Sequence, residues 1–386
     1  MPFERGSMGR YGYLYQSECM NLMDNKQIIL CREEALGMVL RKMMCRAIDA
    51  TIVTDRSAIR WLTGFSGSSA RLLITREKSW LFTDFRYKEQ AAGEVSVAET
   101  VIASDGFAAE LGSGRYPLGE TVALQSDNVT WHEAIKLIEQ ILGKQRVIPV
   151  DSFFDEFRML KNEIELTKMR RAAEISELVL EKVLPLISPS VTELDIAAEI
   201  TYQQKKLGAE KDSFDPIVAG GERSAMPHAT PSKARFKAGE LIVIDIGCVY
   251  EGYASDQTRT VALGHVSGEA RQVYRIVQEA QQLGIASARC GMMAKELDAK
   301  VRRFIAAHGY ADEFGHGLGH GVGLDVHEEP RISLKGEYEL QEHMVFTIEP
   351  GIYLPGKFGV RIEDTVVMAR HGATPLQQFS KELIEL

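Results

Sequence analysis

The sequence predicts two domains, an α/β domain over residues 29–153 and an α+β domain over 154–386, behind an N-terminal extension of residues 1–28. Three observations carry this expectation. The chain has 386 residues, more than a single hydrophobic core usually serves. Up to residue 150, short β-branched runs alternate with helical stretches, the pattern of an α/β layer. Beyond residue 151, two helical stretches precede a set of strands, and that order then occurs again, so helices segregate from a mostly antiparallel sheet.

The elements follow in order. Residues 29–49 are rich in good helix formers, and 50–53 read as a strand. Residues 60–69 read as a turn-rich connection. The apolar runs 70–75 and 79–83, joined by R-E-K, are expected to pair as a hairpin. A helix over 85–93, strands over 95–102 and 121–125, a helix over 131–142 and a strand over 146–150 complete the first domain. In the second, Asn162 is placed to cap a helix over 162–187, with Glu163 and Glu165 at the positive end of its dipole. Thr192 opens another over 192–207. Strands over 241–250 and 252–263 flank a turn at Glu251 and Gly252, which would bring Asp245 and Asp256 together on one face. Helices over 269–288 and 295–308 and strands over 344–353 and 360–369 follow.

Composition narrows the function. A net charge of −9 disfavours nucleic acid or an anionic membrane as partner. No apolar run reaches membrane-span length. The five cysteines show no C-x-x-C spacing, and the first residues lack an apolar signal core, which points to reduced thiols and a cytoplasmic protein.

Residues 315–329 read G-H-G-L-G-H-G-V-G-L-D-V-H-E-E and hold His316, His320 and His327. Asp245, Asp256, Glu349 and Glu363 each lie at or near an apolar run that reads as buried strand. Buried carboxylates are costly unless paired or bound to metal. Four of them with an imidazole suit two divalent cations, because bridging carboxylates neutralise both.

The order Asp, Asp, His, Glu, Glu, with G-Y-A-S-D-Q-T-R-T, G-H-G-L-G-H-G-V-G-L-D-V-H-E, I-E-P-G and R-I-E-D, resembles the pita-bread-fold metallopeptidases. Within them it is most similar to the Xaa-Pro aminopeptidases and prolidases. The likeness covers roughly residues 155–386 and extends weakly into the first domain through W-L-T-G-F-S-G-S and L-F-T-D-F-R-Y. It implies a creatinase/prolidase-like N-terminal domain and a pita-bread catalytic domain. Asp245 would chelate one metal, Asp256 and Glu363 would bridge both, and His320 and Glu349 would complete the other. His228, in R-S-A-M-P-H-A-T, matches a histidine at the scissile region, His316 and His327 match two more active-site histidines, and Arg361 matches an arginine beside them.

The implied reaction is hydrolysis of the bond between an N-terminal residue and proline by a metal-bridging hydroxide. His327 or His228 would donate to the developing oxyanion, and Glu349 would carry the proton to the leaving nitrogen. Oxygen-rich ligation favours Mn²⁺, and Co²⁺ or Zn²⁺ would also fit. The partners implied are short peptides with proline second and another copy of the chain, as a homodimer. Dipeptidase and aminopeptidase remain open alternatives. A methionine aminopeptidase would share the five ligands and His228. A catalytically silent binding protein of the same fold would have a damaged ligand set, and this one is complete. Two neighbours stand outside the set: Arg259, expected to pair structurally with a carboxylate, and Asp325, which either orients a histidine or holds its loop.

Overall fold

The computed structural model describes residues 25–140, 142–143 and 145–386, so most of the expected extension lies outside the described residues. The chain divides between Asp151 and Ser152 into two compact units.

The first unit runs α1 (Asn25–Cys45), β1 (Ala50–Val53), α2 (Arg56–Thr63), β2 (Arg71–Thr75), β3 (Ser79–Thr83), α3 (Lys88–Glu94), β4 (Glu99–Ile102), α4 (Phe107–Leu111), β5 (Thr121–Gln125), α5 (Trp131–Gln140) and β6 (Arg146–Val150). Its six strands form one sheet in the order β4-β3-β2-β1-β5-β6. The hairpin partner β2 runs antiparallel to β1 and β3, and the other pairings are parallel. The stretch 60–69 is not all turn, because residues 60–63 are the last turn of α2. Asp55 caps that helix by accepting from the Ser57 and Ala58 amides, and Gly64, at φ 85°, closes it.

The second unit opens with α6 (Asp155–Arg158), α7 (Glu163–Val183) and α8 (Glu193–Lys206). Asn162 accepts from the Ile164 and Glu165 amides, and Glu165 returns a carboxylate to the Asn162 amide. Thr192 and Asp195 cap α8 in the same reciprocal way. Then come β7 (Lys211–Asp212), β8 (Ile217–Gly220), β9 (Glu240–Ile246), β10 (Cys248–Tyr250), β11 (Tyr253–Ala254), β12 (Gln257–Leu263), α9 (Gly268–Ser287) and α10 (Ala294–Ala307). The unit ends with β13 (Gly319–Gly321), β14 (Glu328–Ile332), β15 (Val345–Ile348), β16 (Gly351–Leu354), β17 (Phe358–Arg361), β18 (Asp364–Ala369) and β19 (Gly372–Pro375).

Each of the four long strands expected here is two strands, and the breaks fall at the carboxylates. β9 lies between β8 and β12 in one sheet, while β10 lies between β7 and β11 in another. β15 and β18 belong to the sheet β14-β13-β15-β18-β19, while β16 and β17 pair with each other. Asp245 is one residue from the end of β9; Asp256, Glu349 and Glu363 stand in the gaps. Gly247 permits the first crossing, since a Cβ there would lie 2.1 Å from the Ser255 carbonyl oxygen. Pro350 has no amide to donate, so the ladder cannot run through the third. The register set by the turn at Glu251 and Gly252 runs unbroken from β10 on β11 to β9 on β12. Asp245 stands opposite Thr258, and Asp256 lies off the ladder.

Helices cover these sheets from two cores. Val179, Leu180 and Ile200 pack with Ile242, Ile244 and Val261. Val273, Val277 and Val301 pack with Phe346, Ile348 and Val366. Fully burying such a side chain contributes about 1.5–3 kcal/mol. Two helices followed by two split strand pairs thus occur twice. Among the described residues, no helix is long and apolar enough to cross a membrane.

Candidate active site and metal centre

Where the split strands meet, their carboxylates converge on a cleft of about 430 Å³. Asp245, Asp256, His320, Glu349 and Glu363 all line it, and so do His228, His316, His327 and Arg361. The structure therefore brings every candidate site residue to one place.

Backbone contacts fix where the acidic groups sit. The Asp256 carbonyl accepts from Thr365 Oγ1 and Gln377 Nε2, both at 2.9 Å. Glu363 Oε2 accepts from Thr258 Oγ1 at 2.6 Å, and its carbonyl accepts from Arg259 Nη1 at 2.6 Å. Arg259 also donates to Asp364 Oδ1 at 2.8 Å, so it is a structural partner of a carboxylate beside the site. Thr347 Oγ1 donates to Glu349 Oε1 at 3.0 Å and accepts from the His320 amide at 3.1 Å. The Nδ1–H tautomer of His320 satisfies the Gly321 carbonyl 3.1 Å away and leaves the Nε2 lone pair for the site. That Nε2 is 3.3 Å from Glu349 Oε1 and 3.6 Å from Asp256 Oδ2.

Burial, then repulsion among neighbouring carboxylates, holds the carboxyl groups of Asp256 and Glu363 well above the usual range. Burial also raises Glu349. The imidazoles of His316, His320 and His327 are pushed down, chiefly by burial, and so stay neutral near pH 7. Asp245 Oδ2 accepts from Arg361 Nη2 at 2.7 Å, while among the described residues its buried Oδ1 has no hydrogen-bond partner. One ligand atom each from Asp256, His320 and Glu363 lies within 4.8 Å of the others. A crowded acidic set, a neutral imidazole lone pair and an orphaned carboxylate oxygen fit divalent cations, whose charge offsets both burial and repulsion.

Arg361 does not take Asp364 or Glu363 as its partner. Its Nη1 donates to Tyr353 Oη at 2.9 Å and to the Pro227 carbonyl at 3.1 Å, and its Nε to Thr258 Oγ1 at 3.0 Å. His316 Nε2 is 3.0 Å from Tyr353 Oη, and its Nδ1 is 2.8 Å from the Gly317 carbonyl. A chain of contacts thus runs from His316 through Tyr353 and Arg361 to Asp245. The His327 ring lies edge-on to His320, with centroids 4.3 Å apart. Asp325 pairs with Arg158 at 2.6 Å and holds the loop.

Sequence reasoning missed Tyr353, Thr258 and Thr347. Thr258 and Thr347 each lie two residues from a carboxylate ligand candidate, a spacing that could have flagged them. Tyr353 reads as an ordinary core aromatic and gave no such signal.

Residues 167–370 match the model of metallopeptidase family M24, and residues 36–160 match the creatinase/prolidase N-terminal domain. The chain is similar to the Xaa-Pro dipeptidase of Pyrococcus horikoshii, with 36% identity over 353 residues, 91% of this chain and 99% of the relative. Among solved structures it resembles the Xaa-Pro dipeptidase from Bacillus anthracis, with a TM-score of 0.88 and 34% identity, covering 92% of this chain and 100% of that one. It also resembles the X-Pro aminopeptidase from Thermotoga maritima, with a TM-score of 0.82 and 37% identity, covering 88% and 98% respectively.

Proposed function

The chain belongs to metallopeptidase family M24, and from that premise we propose that it hydrolyses the bond joining an N-terminal residue to proline in short peptides. The observation that carries this reading is the convergence of four carboxylates and His320 on a cleft whose lining includes Phe214, Pro216, Ile217 and Pro231. Apolar walls beside a polar reaction centre suit a pyrrolidine ring next to the scissile bond.

Asp245, Asp256, His320, Glu349 and Glu363 would hold two divalent cations, with Mn²⁺ first among the candidates for so oxygen-rich a set. When bound, such a pair would supply a Lewis acid for the carbonyl and an acidified water as nucleophile. Glu349 would move a proton from the attacking water to the leaving nitrogen, a task suited to a carboxyl whose pKa burial has raised. His327 and His228 donate N–H bonds to the carbonyl oxygen as it gains charge. Arg361 occupies Oδ2 of Asp245 and leaves Oδ1 for the cation. His316 supports Arg361 through Tyr353. The same reading makes residues 29–153 the creatinase/prolidase-like domain of a cytoplasmic homodimer, which sedimentation of the purified protein tests.

The deciding assay uses chelated protein with Mn²⁺ restored, on Ala-Pro, Ala-Pro-Ala and Met-Ala, beside Glu349→Ala. Metal-dependent cleavage of a proline substrate is expected, with a loss of about 10³-fold or more in the variant. Turnover of Ala-Pro alone marks a dipeptidase, and turnover of the tripeptide marks an aminopeptidase. Cleavage of Met-Ala only, or of nothing, overturns the assignment.

A further inference from the structure

His327 lines the cleft, yet its imidazole has no hydrogen-bond partner among the described residues. His316 and His320 differ, for each contacts the carbonyl of the following glycine through Nδ1. Apart from its edge-on packing against His320, the direction in which His327 points therefore rests on its backbone. That backbone enters β14 at the next residue, Glu328, which pairs with Gly321 of β13. Successive side chains on a strand face opposite ways, so fixing Glu328 on one side fixes His327 on the other.

Glu328 is fixed at both of its oxygens. Lys161 Nζ donates to Oε1, and Arg158 Nη2 donates to Oε2 at 2.7 Å. Arg158 also reaches Asp325 Oδ2 at 2.6 Å, within the loop that carries His327. These cations are themselves anchored. Arg158 ends α6, Lys161 adjoins the Asn162 cap of α7, and the Lys161 amide donates to the His343 carbonyl at 3.0 Å. The Glu328 carboxylate lies against Gly323, where a Cβ would fall 2.4 Å from Oε1. The Gly323 carbonyl in turn accepts from the Ala254 amide at 2.7 Å. Lys161 is 3% exposed. A buried ion pair of this kind often adds little net stability over apolar replacements, so what it contributes here is the placement of Glu328.

We propose that Glu328, clamped by Lys161 and Arg158, is a positioning residue that aims His327 into the cleft; its catalytic consequence rests on the peptidase reading above. The clamp acts from outside the cleft and touches neither substrate nor metal.

The test pairs imidazole NMR spectra of the chelated protein with steady-state kinetics. In Glu328→Gln, the His327 resonances shift or broaden while those of His316 stay in place. With Mn²⁺ restored, kcat/KM on the active Xaa-Pro substrate falls about 10–100-fold, the usual cost of losing an outer partner at a metal site. In a His327→Ala background, Glu328→Gln changes kcat/KM by less than about twofold, because both act through one group. The double variant Lys161→Met/Glu328→Gln removes both charges together and gives the same spectra should the single variant not fold. Unmoved His327 signals, or losses that add fully on His327→Ala, overturn the clamp. Wild-type turnover by His327→Ala overturns its catalytic consequence. Failure of the unaltered protein to cleave any Xaa-Pro peptide overturns the peptidase reading instead, and the spectra still judge the clamp.

Discussion

Asp245, Asp256 and Glu363 stand where paired strands end or break, whereas His228, His316 and His327 stand on loops. On the acidic side, backbone ladders and threonine or glutamine bonds to the main chain or to the carboxylate itself set the acidic groups. On the imidazole side, ion pairs from helices hold the loop. Asp298 and Arg302, one turn apart on α10, bind the Leu318 amide and the carbonyls of Phe314 and His316. Arg158 and Lys161 hold its other end. The contrast teaches that a ligand set can be stiff by ladder while its substrate-facing groups are stiff by charge. Damage to the ladder side should cost metal; damage to the clamps should cost turnover with metal retained.

The largest effect is expected at Asp256. Asp256→Asn should abolish binding of the full metal complement and lower kcat/KM by about 10³-fold or more. It should also act on stability without metal. A buried carboxyl with a raised pKa holds its proton longer in the folded state than in the unfolded one. The chelated protein should thus lose stability as pH rises from the ordinary carboxylate range toward the raised folded value. Asp256→Asn should flatten that slope, which thermal melts between pH 4 and 7 will show. A slope as steep as in the unaltered protein would place the raised pKa elsewhere.

Next comes Gly319, where sheet and loop meet. A Cβ there would fall 2.0 Å from the Thr347 carbonyl oxygen, so Gly319→Ala must push β13 off β15 and carry His320 with it. A loss of about 1–3 kcal/mol in stability and weaker metal binding are expected together. Calorimetry and metal titration of one preparation would separate them.

Much of this arrangement was legible because it is local. Asn162 and Thr192 announce their helices through short-range capping, and the apolar runs announce strands. The strand breaks were not legible. The apolar pattern continues through Asp245, Glu349 and Glu363, and only Gly247 and Pro350 mark where the chain changes sheet. Asp245 and Asp256 nevertheless come together as the turn at Glu251 and Gly252 implies, because the register of β10 on β11 continues unchanged into β9 on β12 across the gap. The clamps were invisible on different grounds. Lys161 and Glu328 lie 167 residues apart, and nothing near either names the other.

Asp298→Asn tests the loop side more gently. The side chain is buried and shares the pair with Arg302, so the variant should loosen the segment carrying His316. A fall of about tenfold in kcat/KM is expected, with metal stoichiometry unchanged. Loss of metal would erase the distinction between the two sides.

The smallest effect is expected at Asn162, which borders the Lys161 clamp and bonds to the helix it opens. Asn162→Ala removes a capping box at a cost of about 1 kcal/mol, or about 2–4 °C in the melting of a unit this size. Lys161 keeps its amide bond to His343 and its ion pair to Glu328 in that variant. Turnover should therefore stay within about twofold of the unaltered protein even as the melt shifts. If kcat falls as it does in Glu328→Gln, the clamp draws its rigidity from the helix cap, and the loop is held by α7 as a whole rather than by two charged side chains.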